Sequence, residues 1–201
     1  MTSFQFHPVT PDRWKDLETL FGRNGANAGC WCMFWRLERS MFKKTKGDGN
    51  RQILKQVVKA DKQPGILAYD GNQAVGWCGV APREDLIALE NSRILKRVDD
   101  KPVWSITCFF VNKEARSKGI MTGLIKAAVV HARSHGGQIV EAYPIDMQSP
   151  KLAGQVFGSY SGYMGVASVF RALGFTEVGQ ASETQLIMRK NIKGTIGKKM
   201  K

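Results

Sequence analysis

The stretch FFVNKEARSKGIMTGLI, residues 109–125, changes from a strand pattern to a helical pattern within a few residues. Phe109 to Val111 end an apolar, β-branched run, and apolar residues recur at helical spacing from Ile120 to Ala132. Between the two lies RSKG, with two basic side chains, Gly119 and no acidic residue. A helix that starts without acidic residues keeps unpaired N–H groups and partial positive charge. Such a helix start suits a bound anion.

The composition predicts one soluble domain. The chain has 201 residues, of which 43% are hydrophobic, and no apolar run has membrane-spanning length. We expect residues 1–190 to form a single domain and residues 191–201 to be a basic, flexible tail. The N-terminus lacks the regions of a signal peptide, and four cysteines are too few and too unevenly placed for a disulfide framework. A reducing cytoplasm is the predicted location, with no membrane partner.

The net charge of +13 favours anionic partners. The basic residues are spread along the chain, and no aromatic-basic motif typical of nucleic-acid recognition is present. Nucleic-acid binding therefore ranks last among the functions considered.

The apolar patterns predict an alternating order of strands and helices. Strands are expected at 3–7, 66–80 (a hairpin turning at Asp70-Gly71-Asn72), 103–111, 138–143, 175–181 and 184–190, and helices from Pro11, over 47–62, over 84–97, after Gly119 and around 166–173. This order predicts a mixed α/β sheet with helices on both faces.

Two segments in this order resemble a known family. VNKEARSKGIMTGLI is similar to the acyl-CoA-binding motif of the GNAT superfamily of N-acetyltransferases, and VFRALGF, residues 169–175, resembles the family's final helix and closing Gly-Phe. The element order also matches the family over most of residues 3–190. The resemblance implies a GNAT-like α/β fold with a mixed, mostly antiparallel central sheet of six to seven strands.

The resemblance also implies a binding site for acetyl-CoA as cosubstrate. The implied cofactor-binding residues are Phe109, Phe110, Val111, Arg116, Ser117, Lys118, Gly119, Ile120 and Met121. Consecutive N–H groups at a helix start can hold a pyrophosphate, and glycine lets it approach closely. Met121 departs from the motif, whose last position is usually Gly or Ala; its side chain either crowds the diphosphate or points into the core.

The chemistry implied is direct attack of an amine on the acetyl thioester. Candidate bases are Glu141, on its strand, and Glu84 or Asp85 after the hairpin; each is otherwise a solvated carboxylate. Many family members place a tyrosine four residues before the closing glycine to protonate the leaving thiolate, but this chain has Phe170 there. Either no acid is needed, or Tyr163 or Tyr160 supplies it. Tyr163 and Phe170 are expected two turns apart on one helix, so Tyr163 does not simply replace the missing hydroxyl.

The segment GCWCMFWR, residues 29–36, is the most unusual in composition. A structural zinc site needs about four ligands, and no second cysteine pair accompanies Cys30 and Cys32, so we expect no metal. Trp31, Phe34 and Trp35 fit one helical face. They either pack in the core or border the acceptor groove, where they would bind an amine by cation–π contact.

The sequence therefore predicts an acyl-CoA-dependent N-acetyltransferase that acts on a primary amine of a small molecule. The alternatives are acylation of a protein or peptide amine and a non-catalytic acyl-CoA sensor. The oligomeric state, including a homodimer, is left open.

Overall fold

A mixed sheet forms the frame of the molecule. The computed structural model describes residues 4–152 and 162–192. Within them the strands are β1 (Gln5–Pro8), β2 (Gly65–Asp70), β3 (Gln73–Pro82), β4 (Trp104–Val111), β5 (Ile139–Ala142), β6 (Thr176–Ser182) and β7 (Gln185–Asn191). The seven strands lie in the order β1-β2-β3-β4-β5-β7-β6, and β4 with β5 is the parallel pair. The predicted mixed, mostly antiparallel sheet is confirmed.

Six α-helices accompany this sheet in the described residues. They are α1 (Trp14–Phe21), α2 (Arg39–Lys44), α3 (Asp48–Lys59), α4 (Ile87–Glu90), α5 (Ile120–Ser134) and α6 (Ala167–Ala172). The helix predicted after Gly119 is confirmed as α5, and Gly136, with φ +80°, follows its last turn. The predicted helix at 47–62 is α3.

The helix predicted over 84–97 is wrong. A 3₁₀ turn and the four-residue α4 occupy its start, and the chain is irregular after Glu90. The guanidinium of Arg83 donates hydrogen bonds to the carbonyl oxygens of Leu89 (3.2 Å) and Leu95 (2.6 Å). The Ser92 hydroxyl accepts a hydrogen bond from the Leu95 N–H. These side chains replace the bonds that a longer helix would make.

The sheet buries a core on each face. Ile66 and Ala68 of β2 face α5 and α6, whereas Leu67 and Tyr69 face α1 and α3. This alternation follows from the two-residue period of a strand. Helices therefore cover both faces, as predicted.

The segment between α1 and α2 is not helical, so the predicted helical face of Trp31, Phe34 and Trp35 is wrong. Left-handed residues, including Ala28 (φ +46°) and Trp31 (φ +49°), turn the chain repeatedly. Gly25 has φ +56°, and a side chain there would overlap the indole of Trp31. The tight turns thus place Trp31 apart from Phe34 and Trp35, which a helix would have aligned on one face.

Candidate active site

The pairing of β4 with β5 defines where the sheet opens. The two strands pair only from Trp104 to Ile106 on β4. β5 ends at Ala142, whereas β4 continues to Val111, so residues 107–111 have no strand partner on that side among the described residues. The N–H of Phe109 instead donates to the carbonyl oxygen of Tyr163 at 2.6 Å. Backbone groups at such a gap need other partners, and an extended ligand can provide them.

A bulge in β4 decides which side chains face this opening. Thr107 has no partner across the ladder to β3, so it is an extra residue in the strand. Ile106 and Phe109 consequently lie in the same core beneath α5, although regular alternation would place them on opposite faces. Phe110 packs into the opposite core, and Cys108 lines a pocket.

The start of α5 lies beside the end of β4. Gly119 caps the helix in the left-handed region (φ +78°), and the first turn carries neither a side-chain cap nor an acidic residue. The positive φ favours glycine at this position, and a Cβ on Gly119 would meet no described residue within 4 Å. The Nε of Arg116 donates to the carbonyl of Val111 at 3.1 Å and ties the loop to the strand. Exposed N–H groups therefore face open space beside a basic side chain.

The two apolar residues that follow Gly119 point inward. Ile120 is buried in the core on the α5 face, and Met121 packs partly buried against the same core. Of the two orientations considered for Met121, the structure shows the inward one. Met121 therefore leaves the helix start open.

A pocket of about 760 Å³ extends from this region to the segment between α1 and α2. Ligand pockets commonly measure about 300–1,000 Å³. Its described lining residues are Ala26, Asn27, Ala28, Cys30, Cys32, Phe34, Trp35, Phe42, Lys46, Cys108, Phe109, Phe110, Val111, Asn112, Lys113, Arg116 and Tyr163. Three of these carry a positive charge (Lys46, Lys113 and Arg116), and no carboxylate occurs among them. One pocket thus joins part of the predicted cofactor residues to part of the predicted acceptor residues.

Aromatic rings form the wall opposite β4. Phe34 meets Trp35 edge-to-face at 4.9 Å and Phe42 at 5.5 Å between ring centroids. Trp31 is not among the described lining residues; it is buried against Trp14 and Phe21 of α1. The structure therefore brings Phe34 and Trp35 to the pocket and places Trp31 in the core.

Three cysteines line the pocket as thiols. Cys32 Sγ donates to Cys108 Sγ at 3.1 Å and accepts from the indole N–H of Trp77 at 3.0 Å. The hydrogen bond to Cys108, together with burial, raises the pKa of the Cys32 thiol well above its usual range. Burial, with the neighbouring Cys32, raises the pKa of Cys30 to about 11. Both residues stay protonated at neutral pH, and a protonated thiol is a poor nucleophile.

The tyrosine and phenylalanine near α6 are separated by the start of that helix. Tyr163 lies outside α6, which begins at Ala167, so the expected two-turn spacing on one helix is wrong. Val166 is extended and forms a bridge with Ile145, which delays the helix start. Tyr163 lines the pocket and is 37% exposed, whereas Phe170 is fully buried against Phe109. Tyr160 lies outside the described residues.

The carboxylates predicted as bases lie away from the pocket lining. Glu141 is completely buried: its Oε1 accepts from Arg83 (2.9 Å) and from the Tyr143 hydroxyl (2.6 Å), and its Oε2 accepts from Arg189 (2.6 Å). Glu84 is exposed in the 3₁₀ turn after β3. Asp85 approaches Lys62 at 4.0 Å. None of them is among the described residues that line the pocket.

Sequence reasoning missed several residues of the pocket. Cys108 was missed because the bulge at Thr107, which no sequence pattern indicates, changes which side chains of β4 face each side of the sheet. Lys46, Asn27 and Phe42 come from turns and a short helix that have no clear periodicity. The one indication in the sequence was that these residues lie close to the segment GCWCMFWR, part of which lines the pocket.

The described residues place limits on other kinds of site. They contain no group of three or more His, Cys, Asp or Glu side chains arranged to hold a metal ion. None of the helices in residues 4–152 and 162–192 combines the length and apolarity needed to cross a bilayer.

Comparisons with known proteins bear on this fold and pocket. The acetyltransferase (GNAT) family model matches residues 31–156, more than half of the chain. A search of curated protein sequences gives no match. The fold is similar to that of the ribosomal-protein-S5-alanine acetyltransferase from Vibrio fischeri, at 17% identity and a TM-score of 0.53, over 94% of this chain and 93% of that chain.

Two further solved structures share the fold at low identity. The PaiA N-acetyltransferase from Thermoplasma acidophilum, in complex with coenzyme A, is 11% identical with a TM-score of 0.51, over 94% of this chain and 99% of that chain. An N-acetyltransferase from Staphylococcus aureus Mu50 is 10% identical with a TM-score of 0.52, over 95% and 99%. The sheet, the glycine-capped α5 and the match over residues 31–156 agree, and the chain belongs to the GNAT family of acetyltransferases.

Proposed function

We propose that this protein transfers an acetyl group from acetyl-CoA to a primary amine of a small molecule. The observation that carries this proposal is a continuous pocket, which reaches from Arg116 and the end of β4 to the aromatic wall of Phe34 and Trp35. Such a pocket can hold a thioester and an amine side by side. Holding two reactants together accounts for a large part of the rate in transfers of this kind.

The end of β4 and the start of α5 would bind acetyl-CoA. Residues 116–121 offer open N–H groups at a helix start, with Arg116 and Lys118 nearby, for the pyrophosphate. The edge of β4 at residues 109–111 offers backbone groups to the extended arm that carries the thioester. The structure of the same fold from Thermoplasma acidophilum is a complex with coenzyme A, which supports coenzyme A as the kind of ligand that binds.

Direct attack is the reaction that the pocket supports best. The neutral amine nitrogen bonds to the thioester carbon, the carbon–sulfur bond breaks, and coenzyme A leaves as thiolate while the nitrogen loses its proton. The raised pKa values of Cys30 and Cys32 argue against a cysteine-bound acyl intermediate at those residues. Releasing a thiolate of pKa about 8.5 at pH 7 costs only about 2 kcal/mol, so a dedicated acid is not required.

Deprotonating the amine is the more demanding step. It costs about 4.6 kcal/mol at pH 7 for a lysine-like amine of pKa about 10.4, but only about 1.4 kcal/mol for an α-amine of pKa about 8. The described lining residues include no carboxylate to serve as a base. Positive charges at the rim lower an amine's pKa and so favour its reactive form. We therefore assign Glu141 and Glu84 no catalytic role.

We also place the protein in a reducing cytoplasm as one domain over residues 1–190. All four cysteines are free thiols, including the close pair Cys32 and Cys108. Free thiols are typical of a reducing compartment.

Two measurements test the proposal. Calorimetry should show acetyl-CoA binding, and thiol release from acetyl-CoA should rise on adding a small amine. Binding without thiol release across a panel of amines and peptides would favour the sensor alternative. Thiol release with peptides alone would favour a protein or peptide acceptor. Absence of acetyl-CoA binding by the folded protein would overturn the assignment.

A further inference from the structure

The rim of the acceptor side is strongly basic. Residues 36–46, RLERSMFKKTK, carry five basic side chains and one acidic side chain. In the described part of the chain, Arg39, Lys43, Lys44 and Lys46 make no ion pair with a carboxylate. Lys46 itself lines the pocket. An ammonium group that enters this side therefore meets like charge without compensation.

The aromatic wall already holds a cation of the protein. The guanidinium of Arg39 lies 3.7 Å from the ring centroid of Phe34 and 5.3 Å from that of Trp35. The cation–π position expected for a substrate amine at Phe34 is thus occupied from within the chain. Arg39 therefore brings a positive charge to the aromatic wall, which disfavours a second cation at the same rings.

The same wall contains a buried donor without a partner. Trp35 is 8% exposed and lines the pocket, and its indole Nε1 makes no hydrogen bond in the described structure. Leaving a buried N–H unpaired costs free energy, so native proteins rarely do so without a functional reason. This nitrogen has almost no solvent-accessible surface, so a ligand oxygen reaches it only after the indole ring turns toward the pocket.

We propose that the acceptor is a small amine that also carries a carboxylate and an apolar body, such as an apolar amino acid, with the carboxylate bound at Lys46. The apolar body fits the aromatic wall, and the carboxylate fits the uncompensated cations. The inference rests on the proposed acetyl transfer, because it identifies the substrate of that pocket.

The first test measures binding without catalysis. In the full-length protein saturated with coenzyme A, titrate 3-phenylpropanoate, which has the carboxylate and ring but no amine, and phenethylamine, which has the ring and amine but no carboxylate. We expect the carboxylate probe to bind at least about tenfold more tightly. Equal or tighter binding of phenethylamine, or binding of neither probe, overturns the proposal.

Matched variants assign the carboxylate position. Lys46→Gln should weaken 3-phenylpropanoate binding about threefold to tenfold, whereas Lys46→Arg should retain most of it. Trp35→Phe, which keeps an aromatic ring and removes a nitrogen without exposed surface, should weaken it less than Lys46→Gln does. Lys59→Gln removes an exposed charge of α3 outside the described lining and should change nothing. Equal effects of Lys46→Gln and Lys59→Gln would refute a local contact.

The second test measures turnover. Compare kcat/KM for phenylalanine with that for phenethylamine, each corrected to its neutral amine fraction. Phenylalanine should be preferred about tenfold or more, and Lys46→Gln should reduce that preference with an unchanged KM for acetyl-CoA. Acetylation of phenethylamine with no preference for phenylalanine overturns this inference but leaves the acetyltransferase assignment intact. Activity on acidic peptides alone would point to a macromolecular acceptor and also overturn it.

Discussion

Gly119 combines an unusual backbone conformation with a position at the proposed pyrophosphate site. Its φ of +78° is a conformation that glycine adopts without strain and that Asn and Asp tolerate better than other residues. Because the space in front of it is open, a substitution acts on what binds there more than on the packing of the protein.

Gly119→Asp should therefore weaken acetyl-CoA binding more than Gly119→Asn. The two side chains have nearly the same size, but only aspartate places a negative charge beside the phosphates. We expect a further loss of about tenfold or more in the dissociation constant of the aspartate variant, measured by calorimetry on folded protein. Equal affinities in the two variants would remove the pyrophosphate from this helix start.

Tyr163 tests whether a proton donor is needed for the leaving group. Its ring lines the pocket, while the family's usual tyrosine position holds the buried Phe170. We expect Tyr163→Phe to retain most of kcat, and the rate to rise with pH as the amine loses its proton, without a falling limb near pH 10. A hundredfold loss of kcat with unchanged acetyl-CoA binding would identify Tyr163 as the acid.

At the scale of elements, a buried ionic cluster joins β5 to its neighbours. Glu141 of β5 is held by Arg83 after β3 and by Arg189 of β7, and Arg189 also reaches Asp99 at 2.8 Å. Burial, with the neighbouring Glu141, raises the pKa of Tyr143, which keeps its hydroxyl protonated as a donor. This cluster fixes β5 beside the point where β4 and β5 separate.

Glu141→Gln should destabilise the protein without removing its chemistry. Breaking a buried ion pair leaves an uncompensated charge and typically costs about 3–5 kcal/mol. We expect a lower midpoint of urea unfolding and nearly normal kcat in the remaining folded protein. Glu84→Gln is the exposed control and should change neither. A large loss of kcat with normal stability would restore Glu141 as the general base.

His131 on the buried side of α5 makes stability depend on pH. Burial, with the neighbouring His135, lowers the pKa of His131 from 6.5 to about 4, and its Nε2 has no hydrogen-bond partner in the described structure. Because the unfolded chain binds the proton more tightly, stability is unaffected above pH about 6.5 and falls as the pH drops toward 4, by up to about 3 kcal/mol.

Thermal unfolding between pH 7.5 and pH 4.5 should therefore show a smaller decrease in Tm for His131→Gln than for the unmodified chain. His7→Gln, on β1, is the control, because His135 itself helps to lower the pKa of His131. If both variants show the same pH dependence as the unmodified chain, other groups carry the acid sensitivity.

The comparison of sequence with structure divides along the same elements. The presence of β4 and α5 was predictable from their apolar patterns, and Gly119 from its place between them. The segment between α1 and α2 was not, because its left-handed turns at Ala26, Ala28 and Trp31 depend on tertiary packing. The extra residue Thr107 was hidden for a similar reason, since a bulge has no local mark in a β-branched run. The aromatic wall could therefore be located only in the folded structure.

At the scale of the molecule, the net charge of +13 is spread over the surface, with local concentration at the pocket. Lys113 and Arg116 line the part of the pocket proposed to bind acetyl-CoA, and Lys46 lines the part proposed for the acceptor. An anionic cosubstrate is then attracted both by the general field and by these side chains. Salt weakens both the general field and the attraction by these side chains, since the Debye length falls from about 10 Å at 0.1 M to about 3 Å at 1 M.

The KM for acetyl-CoA should consequently rise several-fold between about 0.05 M and about 0.5 M salt, because both contributions weaken as the screening length shortens. S-acetylpantetheine carries the same thioester without the phosphates, so its KM should stay nearly constant over that range. The Lys113→Gln variant should show a weaker salt dependence with acetyl-CoA and no change with S-acetylpantetheine. If both thioesters respond equally to salt, the charges act on the protein or the acceptor, and the phosphates do not bind beside Lys113 and Arg116.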